Sequence, residues 1–375
     1  MSSETQDTRE TPAETPEGLE TPTAEQPAAT AASVAKSRIE RIDTALAWAP
    51  RILLVLVLLT GGAFALYVRQ EEERQRLSTP VGRALEDLRR NVEDNPNDVV
   101  LAVRYGEALA SAGMFREAIN AFDQALKLDE EHTGAMLNMG MVLMADFRWN
   151  EAEPFFRKVT ELTEGTEFQD LNARRGQAFF YLGQIAVEDG EYESAVEYLR
   201  ESLRIRRTAS DTYFQLARAY HGLGDLDKAI ENLYVALAFD PAYGEARFEL
   251  GRFLAEQGKE ASAAVEFRKV ADRFPDAEMP IEALLEFGTV EQRISQAREA
   301  QEEGELQKAI EHATIAVAIE PESVEALILR AELFEAAKRP ADAVKDYEKI
   351  LTLEPEHAAA TDALARLAPA PAPAP

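Results

Sequence analysis

The chain contains no cysteine among its 375 residues. Disulfides, thiolate nucleophiles, cysteine-based zinc sites and a lipid-modified N-terminal cysteine are thereby excluded. Histidine is scarce. His132, His221, His312 and His357 stand apart, none with a second ligand at a spacing such as H-E-x-x-H, so each reads as a surface or loop residue. Basic residues are outnumbered, 40 against 68 acidic, for a net charge of -28. A nucleic-acid binder needs a basic face to displace counterions from phosphates, so partners are expected among proteins or cations instead. No Ser-His-Asp order, phosphate-cradling glycine loop or metal-ligand set is present, and carboxylate runs such as Glu71-Glu72-Glu73 and Glu302-Glu303 read as solvated helix faces. The expectation is a protein with no catalysis, no cofactor and no metal.

What is there begins with an acidic Thr/Pro-rich tail at 1–44 that repeats Glu-Thr-Pro and has too little large apolar surface to offset its backbone entropy. From Ile52 to Val68 no residue is charged, and Trp48 and Tyr67 bracket the run 19 positions apart. At 1.5 Å per residue that is about 28 Å, the thickness of a bilayer core with an aromatic at each interface. A transmembrane helix at 45–69 is expected, flanked by Arg51 and Arg69. A buried core helix is one alternative, and a leader cleaved at Ala63-Phe64-Ala65 is another. Four basic residues on each side leave orientation undecided by charge. The absence of cysteine and the possible cleavage site lean toward export of the C-terminal body, the arrangement of a single-pass plasma-membrane protein with a periplasmic domain. Residues 70–98 read as a stalk and an N-terminal capping helix over 81–94. Residues 358–367 read as a C-terminal capping helix, and 368–375 as a stiff Ala-Pro tail.

Between them a pattern recurs with a period of 34, beginning near 99, 133, 176, 210, 244, 290 and 324. Four of the six junctions are contiguous; the one before 176 carries nine extra residues and the one before 290 carries twelve. Each copy reads as helix, glycine turn, helix. Its first helix carries a small residue where the paired helix crosses: Gly106, Gly140, Gly183, Ala217, Gly251, Ala297 and Ala331. Twelve positions on, every copy has alanine: Ala118, Ala152, Ala195, Ala229, Ala263, Ala309 and Ala343. Phe122, Phe156, Leu199, Leu233, Phe267 and Tyr347 follow as large knobs expected between repeats, with Ala313 the exception. Pro241, Pro275, Pro321 and Pro355 end four second helices.

These residues closely resemble the tetratricopeptide repeat over about 99–357. The resemblance implies an all-α fold, a right-handed α-solenoid of about seven antiparallel helix pairs, with a concave face formed by the first helices. The copy at 290 departs from the pattern, because Arg293 and Gln296 replace apolar residues. There "IEALLEFG", with Gly288 as the small residue, offers an alternative start for an elongated first helix. Family geometry places the fifth and ninth positions of each first helix in the groove. The peptide-groove candidates are Phe180, Gln184, Phe214, Arg218, Phe248, Arg252, Ile294 and Arg298, beside Val103, Leu137 and Ile328. They suit a peptide with apolar anchors and an acidic group; the competing reading is local packing. Repeats that clamp the acidic tail of heat-shock chaperones carry Lys and Asn at these positions, which this chain lacks.

The reading is a membrane-tethered interaction scaffold, an assembly or recruitment factor of a bacterial envelope complex. A self-assembling organiser at the membrane surface or a translocon-associated, chaperone-like helper is the alternative.

Overall fold

The computed structural model describes residues 60, 61, 64, 67, 68, 79–167 and 171–367. The chain divides into two compact units, Met1–Arg83 and Ala84–Pro375. In the first, the predicted tail at 1–44 lies outside the described residues. So does the predicted membrane span at 45–69, except for Thr60, Gly61, Phe64, Tyr67 and Val68, which are helical. Among the described residues no helix is long and apolar enough to cross a membrane. The Ala-Pro tail at 368–375 also lies outside them.

Residues 80–367 form seventeen α-helices, and no strand occurs among the described residues. Helix α1 is Pro80–Asp94. Seven pairs follow: α2 (Val99–Ser111) with α3 (Phe115–Leu128), α4 (Thr133–Ala145) with α5 (Trp149–Leu162), α6 (Ala173–Glu188) with α7 (Tyr192–Ile205), and α8 (Ser210–Gly222) with α9 (Leu226–Phe239). After α10 (Gly244–Glu256) and α11 (Glu260–Arg273) comes an unpaired short helix, α12 (Glu278–Leu285). The last two pairs are α13 (Val290–Glu302) with α14 (Leu306–Ile319) and α15 (Val324–Ala336) with α16 (Pro340–Leu353), and α17 (Ala358–Leu367) closes the array.

Five of the seven first helices start where a side chain satisfies an orphan N–H; those led by Ala209 and Tyr243 do not. Asp98 accepts from Leu101, His132 Nδ1 from Ala135, Asn172 from Arg174 and Arg175, and Ser323 from Ala326. They end identically. In all seven pairs the N–H after the turn reaches back five residues: Met114 to Leu109, Arg148 to Leu143, Glu191 to Ala186, Asp225 to Tyr220, Lys259 to Leu254, Glu305 to Ala300 and Arg339 to Phe334, at 2.8–2.9 Å. That bond requires a left-handed residue just before it. Five turns supply glycine with φ of 73–81°, whereas Phe147 (φ 60°) and Lys338 (φ 59°) adopt the same conformation against the steric preference of a Cβ.

The two helices of a pair are keyed together. A Cβ added at Gly106 would lie 2.6 Å from Phe122, at Gly140 2.6 Å from Phe156, at Gly183 2.5 Å from Leu199, and at Gly251 2.5 Å from Phe267. The large residues expected between repeats therefore plug a slot within their own repeat. Where the slot position holds alanine, the residue sixteen positions on is Leu233 for Ala217 and Ala313 for Ala297. Tyr347, opposite Ala331, is the one large plug that remains. The recurring alanines are the floor of this joint, all seven of them 0% exposed.

Successive pairs stack, each second helix lying on the next first helix, except after the fifth pair. There α11 packs on the short α12 and directly on α14. Helix α12 begins 34 residues after α10, in the register of a first helix, and its Leu284 is buried like the equivalent Leu182, Leu216 and Leu250. It stops after two turns at Gly288 (φ 104°). A capping box of Thr289 and Gln292 then starts α13 afresh, so the elongated-helix alternative does not form. The twelve extra residues are thus a repeat cut off before its second helix.

Two arginines close the break. Arg268 donates from Nε to Ala318 O (2.6 Å) and from Nη2 to Ile319 O (2.8 Å), satisfying the open end of α14. Arg293, buried at an ordinarily apolar position, donates to Phe287 O (2.6 Å) and Glu260 Oε2 (2.8 Å) and meets His312 Nδ1 at 3.0 Å.

Two outcomes follow. Lys338→Gly should stabilise the last repeat by about 1 kcal/mol by relieving the left-handed strain, seen as a higher urea midpoint; a lower midpoint would contradict it. His312 is held below its ordinary value by burial and then by the Arg293 guanidinium, with Lys308 adding and Glu260 and Glu311 opposing. The unfolded imidazole therefore binds its proton first as pH falls. Stability is greatest above the unfolded pKa of about 6.5, declines as pH drops from there to the folded pKa, and then levels. His312→Gln should flatten that segment of the stability–pH curve; an unchanged slope would contradict it.

Candidate functional site

The first helices present a polar face that cross-links neighbours. Asn138 Nδ2 donates to Glu107 Oε1 (2.8 Å), joining α2 and α4. Arg218 Nη1 donates to Glu188 Oε1 (2.8 Å), joining α6 and α8, and also to Gln215 Oε1 (3.1 Å). His221 stacks on Phe253 with ring centroids 4.2 Å apart, and its Nε2 lies 2.8 Å from Glu256 Oε2, joining α8 and α10. Arg298 pairs with Glu325 (2.7 Å) between α13 and α15.

The predicted groove residues divide by depth. Phe214 and Ile294 are buried; Phe214 packs on Tyr243 with centroids 5.2 Å apart, and burial pushes the Tyr243 phenol up to about 12. Phe180 and Phe248 are half-buried. The Arg206 guanidinium lies over the Phe180 ring at 5.3 Å, and Phe248 packs on Phe267 at 5.3 Å. Gln184 is half-buried, and Arg252 and Arg298 are exposed. The fifth position is thus largely an inter-repeat packing position, and the ninth is the surface.

Arg218 and Arg252 come together at a cleft of about 230 Å³ with His221, Glu249 and Phe253. Arg252 is held by Glu249 (2.8 Å). Ile294 and Arg298 belong to α13, beyond the truncated repeat, and with Ile328 and Glu332 of α15 Arg298 borders a second cleft. Sequence reasoning missed His221, Glu188 and Glu256. Their only signal was helical spacing: His221 lies three residues from Arg218, one turn along the same face.

A partly exposed ion pair is worth about 0–1 kcal/mol. The guanidiniums of Arg218 and Arg252 can therefore exchange their internal acids for a ligand carboxylate at small cost. Among the described residues no group of three or more His, Asp or Glu is placed to hold a metal ion.

Keyed antiparallel helix pairs, stacked in series with a side-chain ladder along one helix layer, define a helical repeat scaffold, a class of protein that generally mediates protein–protein interaction. Tetratricopeptide repeat models match residues 101–132, 132–208, 186–233, 221–280 and 294–373. The chain belongs to the tetratricopeptide repeat family. The unmatched gap at 281–293 coincides with the cut-off repeat. Among similar proteins, Protein CTR9 homolog of Arabidopsis thaliana is 24% identical over 244 residues, covering 62% of this chain and 20% of that protein. DnaJ homolog subfamily C member 3 of Gallus gallus is 21% identical over 317 residues, covering 71% and 61%. Among solved structures, YrrB, described as a TPR protein with an unusual peptide-binding site, is 24% identical with a TM-score of 0.42, covering 53% of this chain and 98% of its own. The chain spans 20% to 61% of the length of these curated relatives.

The division by depth has a measurable consequence. Phe214→Ala should cost about 3–5 kcal/mol of stability, whereas Arg252→Ala should stay within about 0.5 kcal/mol, both read from thermal and urea midpoints. A mild Phe214→Ala would place that ring on the wall rather than in the core.

Proposed function

We propose that the chain is a membrane-tethered recruitment scaffold that holds partner polypeptides against its first-helix face. The observation that carries this reading is the pair of guanidiniums, Arg218 and Arg252, meeting at one cleft in a protein of net charge -28, each paired with a partly exposed acid that a ligand can replace. Phe180 and Gln184 on α6 and Phe248 on α10 add half-buried side chains to the first-helix layer, so the favoured partner is a segment with apolar anchors and a carboxylate. Arg298 offers a weaker second contact on α13. The uncharged run Ile52–Val68, with Trp48, Tyr67, Arg51 and Arg69 at its ends, supports the tether. The lack of cysteine accords with an extracytoplasmic body, and assembly or recruitment for a bacterial envelope complex is the role in keeping with both.

A chaperone-like helper is the second reading. It draws on the similarity over 71% of the chain to DnaJ homolog subfamily C member 3, and on that to a protein named a tetratricopeptide repeat and J domain-containing co-chaperone.

The test is charge reversal. Arg218→Glu with Arg252→Glu should abolish partner capture from native membranes while leaving helical content and melting unchanged. Capture equal to that of the unaltered chain would reject the reading.

A further inference from the structure

The cut-off repeat leaves a helix face without its cover. In every complete repeat the eighth position of the repeat is sealed by the second helix: glycines 106, 140, 183 and 251 against their plugs, and Ala217, Ala297 and Ala331 at 0% exposure. The eighth residue of α12 is Leu285, and it is 59% exposed. The fourth is Ile281, 37% exposed, where the equivalent Ala102, Met136, Phe179, Arg293 and Leu327 are buried and Tyr213 and Arg247 are half-buried. Leu284, which faces α11, is buried, so the helix itself is firmly seated. The exposed side is the one on which a second helix belongs.

The chemistry around this vacancy specifies what fits it. Asp276, Glu278, Glu282 and Glu286 frame the patch, and none forms an ion pair with a described residue. A second copy of the chain is a poor occupant, because its helices already bury their apolar faces in the stack and the molecule is strongly acidic. The joint adds a size rule. A leucine at the slot position occupies the space that glycine or alanine leaves open in the other repeats, so the residue opposite it must be small.

We propose that α12 docks an amphipathic helix of a partner protein, with basic flanks and an alanine or glycine at its crossing point, which completes the missing half of the repeat. This surface is separate from the Arg218–Arg252 cleft and does not depend on it.

The probe is a synthetic peptide of the Leu306–Ile319 sequence carrying Glu311→Lys, which presents alanine at the crossing and a basic face. Its binding to the full chain in detergent is followed by fluorescence anisotropy. Binding should weaken at least about tenfold with Leu285→Glu in the chain, and equally with Ala313→Phe in the peptide. Because Leu285 is exposed, the variant chain should keep the melting midpoint of the original, confirmed by circular dichroism. Arg218→Glu with Arg252→Glu should leave peptide binding unchanged, which separates failure of this site from failure of the cleft. Absence of peptide binding, or binding indifferent to Leu285→Glu, overturns the proposal. So does a concentration-dependent dimer in sedimentation equilibrium that Leu285→Glu abolishes, since the cover would then be a second copy.

Discussion

The structure rests on a joint of complementary volumes. A first helix omits or minimises one side chain, and the following helix drives a side chain into the space, with a fully buried alanine beneath it. Interiors are packed at crystal density, so neither partner of such a joint can change size alone without strain or a void. Because the joint lies inside the repeat, each pair is a self-contained clip. Stacking then adds only nearest-neighbour contacts, as expected of a one-dimensional array. Three apolar clusters result, one over the first three pairs, one over the third to fifth, and one over the last two pairs with α17.

The break after the fifth pair shows what happens when the clip is incomplete. Helix α12 has the register and the buried leucine of a first helix but no partner to fill its slot. The array continues only because α14 lies directly on α11 and arginines take over the bonding. Arg293 at an apolar position is costly unless fully satisfied. It is satisfied three times, by a carbonyl, a carboxylate and a neutral imidazole. A polar lock thus stands where the rest of the molecule uses apolar packing, and an uncovered apolar patch stands beside it.

Much of this was legible in the sequence. The period of 34, the slot residues and the alanines are strictly local and repeat seven times, so pattern alone locates them. The slots were placed correctly against the paired helix, but the large knobs were placed between repeats, since spacing along a chain does not say whether a knob faces its own helix pair or the next. The strained turns at Phe147 and Lys338 were invisible, because nothing in those residues announces a left-handed backbone. Of the candidate residues at the ninth position, Arg218 and Arg252 line one cleft, a placement their repeat spacing anticipates. At the fifth position the placement was not legible, because an apolar residue on a first helix is compatible with wall or core, and Phe214 and Ile294 lie in the core. The truncated repeat appeared only as twelve surplus residues.

The same clip that organises the fold therefore sorts its surfaces. Where it is complete, the first helices show polar ladders that trade partners cheaply; where it is cut short, an apolar face stays open. Its direct test is to exchange one joint for another already used in this chain, converting Gly106 and Phe122 to the alanine and leucine of the fourth repeat. Amide hydrogen exchange over 99–128 would follow Gly106→Ala, Phe122→Leu and the double substitution. The account predicts that each single change lowers protection and that the pair together loses less than the two added, with a favourable coupling of at least about 1 kcal/mol. Strictly additive losses would contradict it.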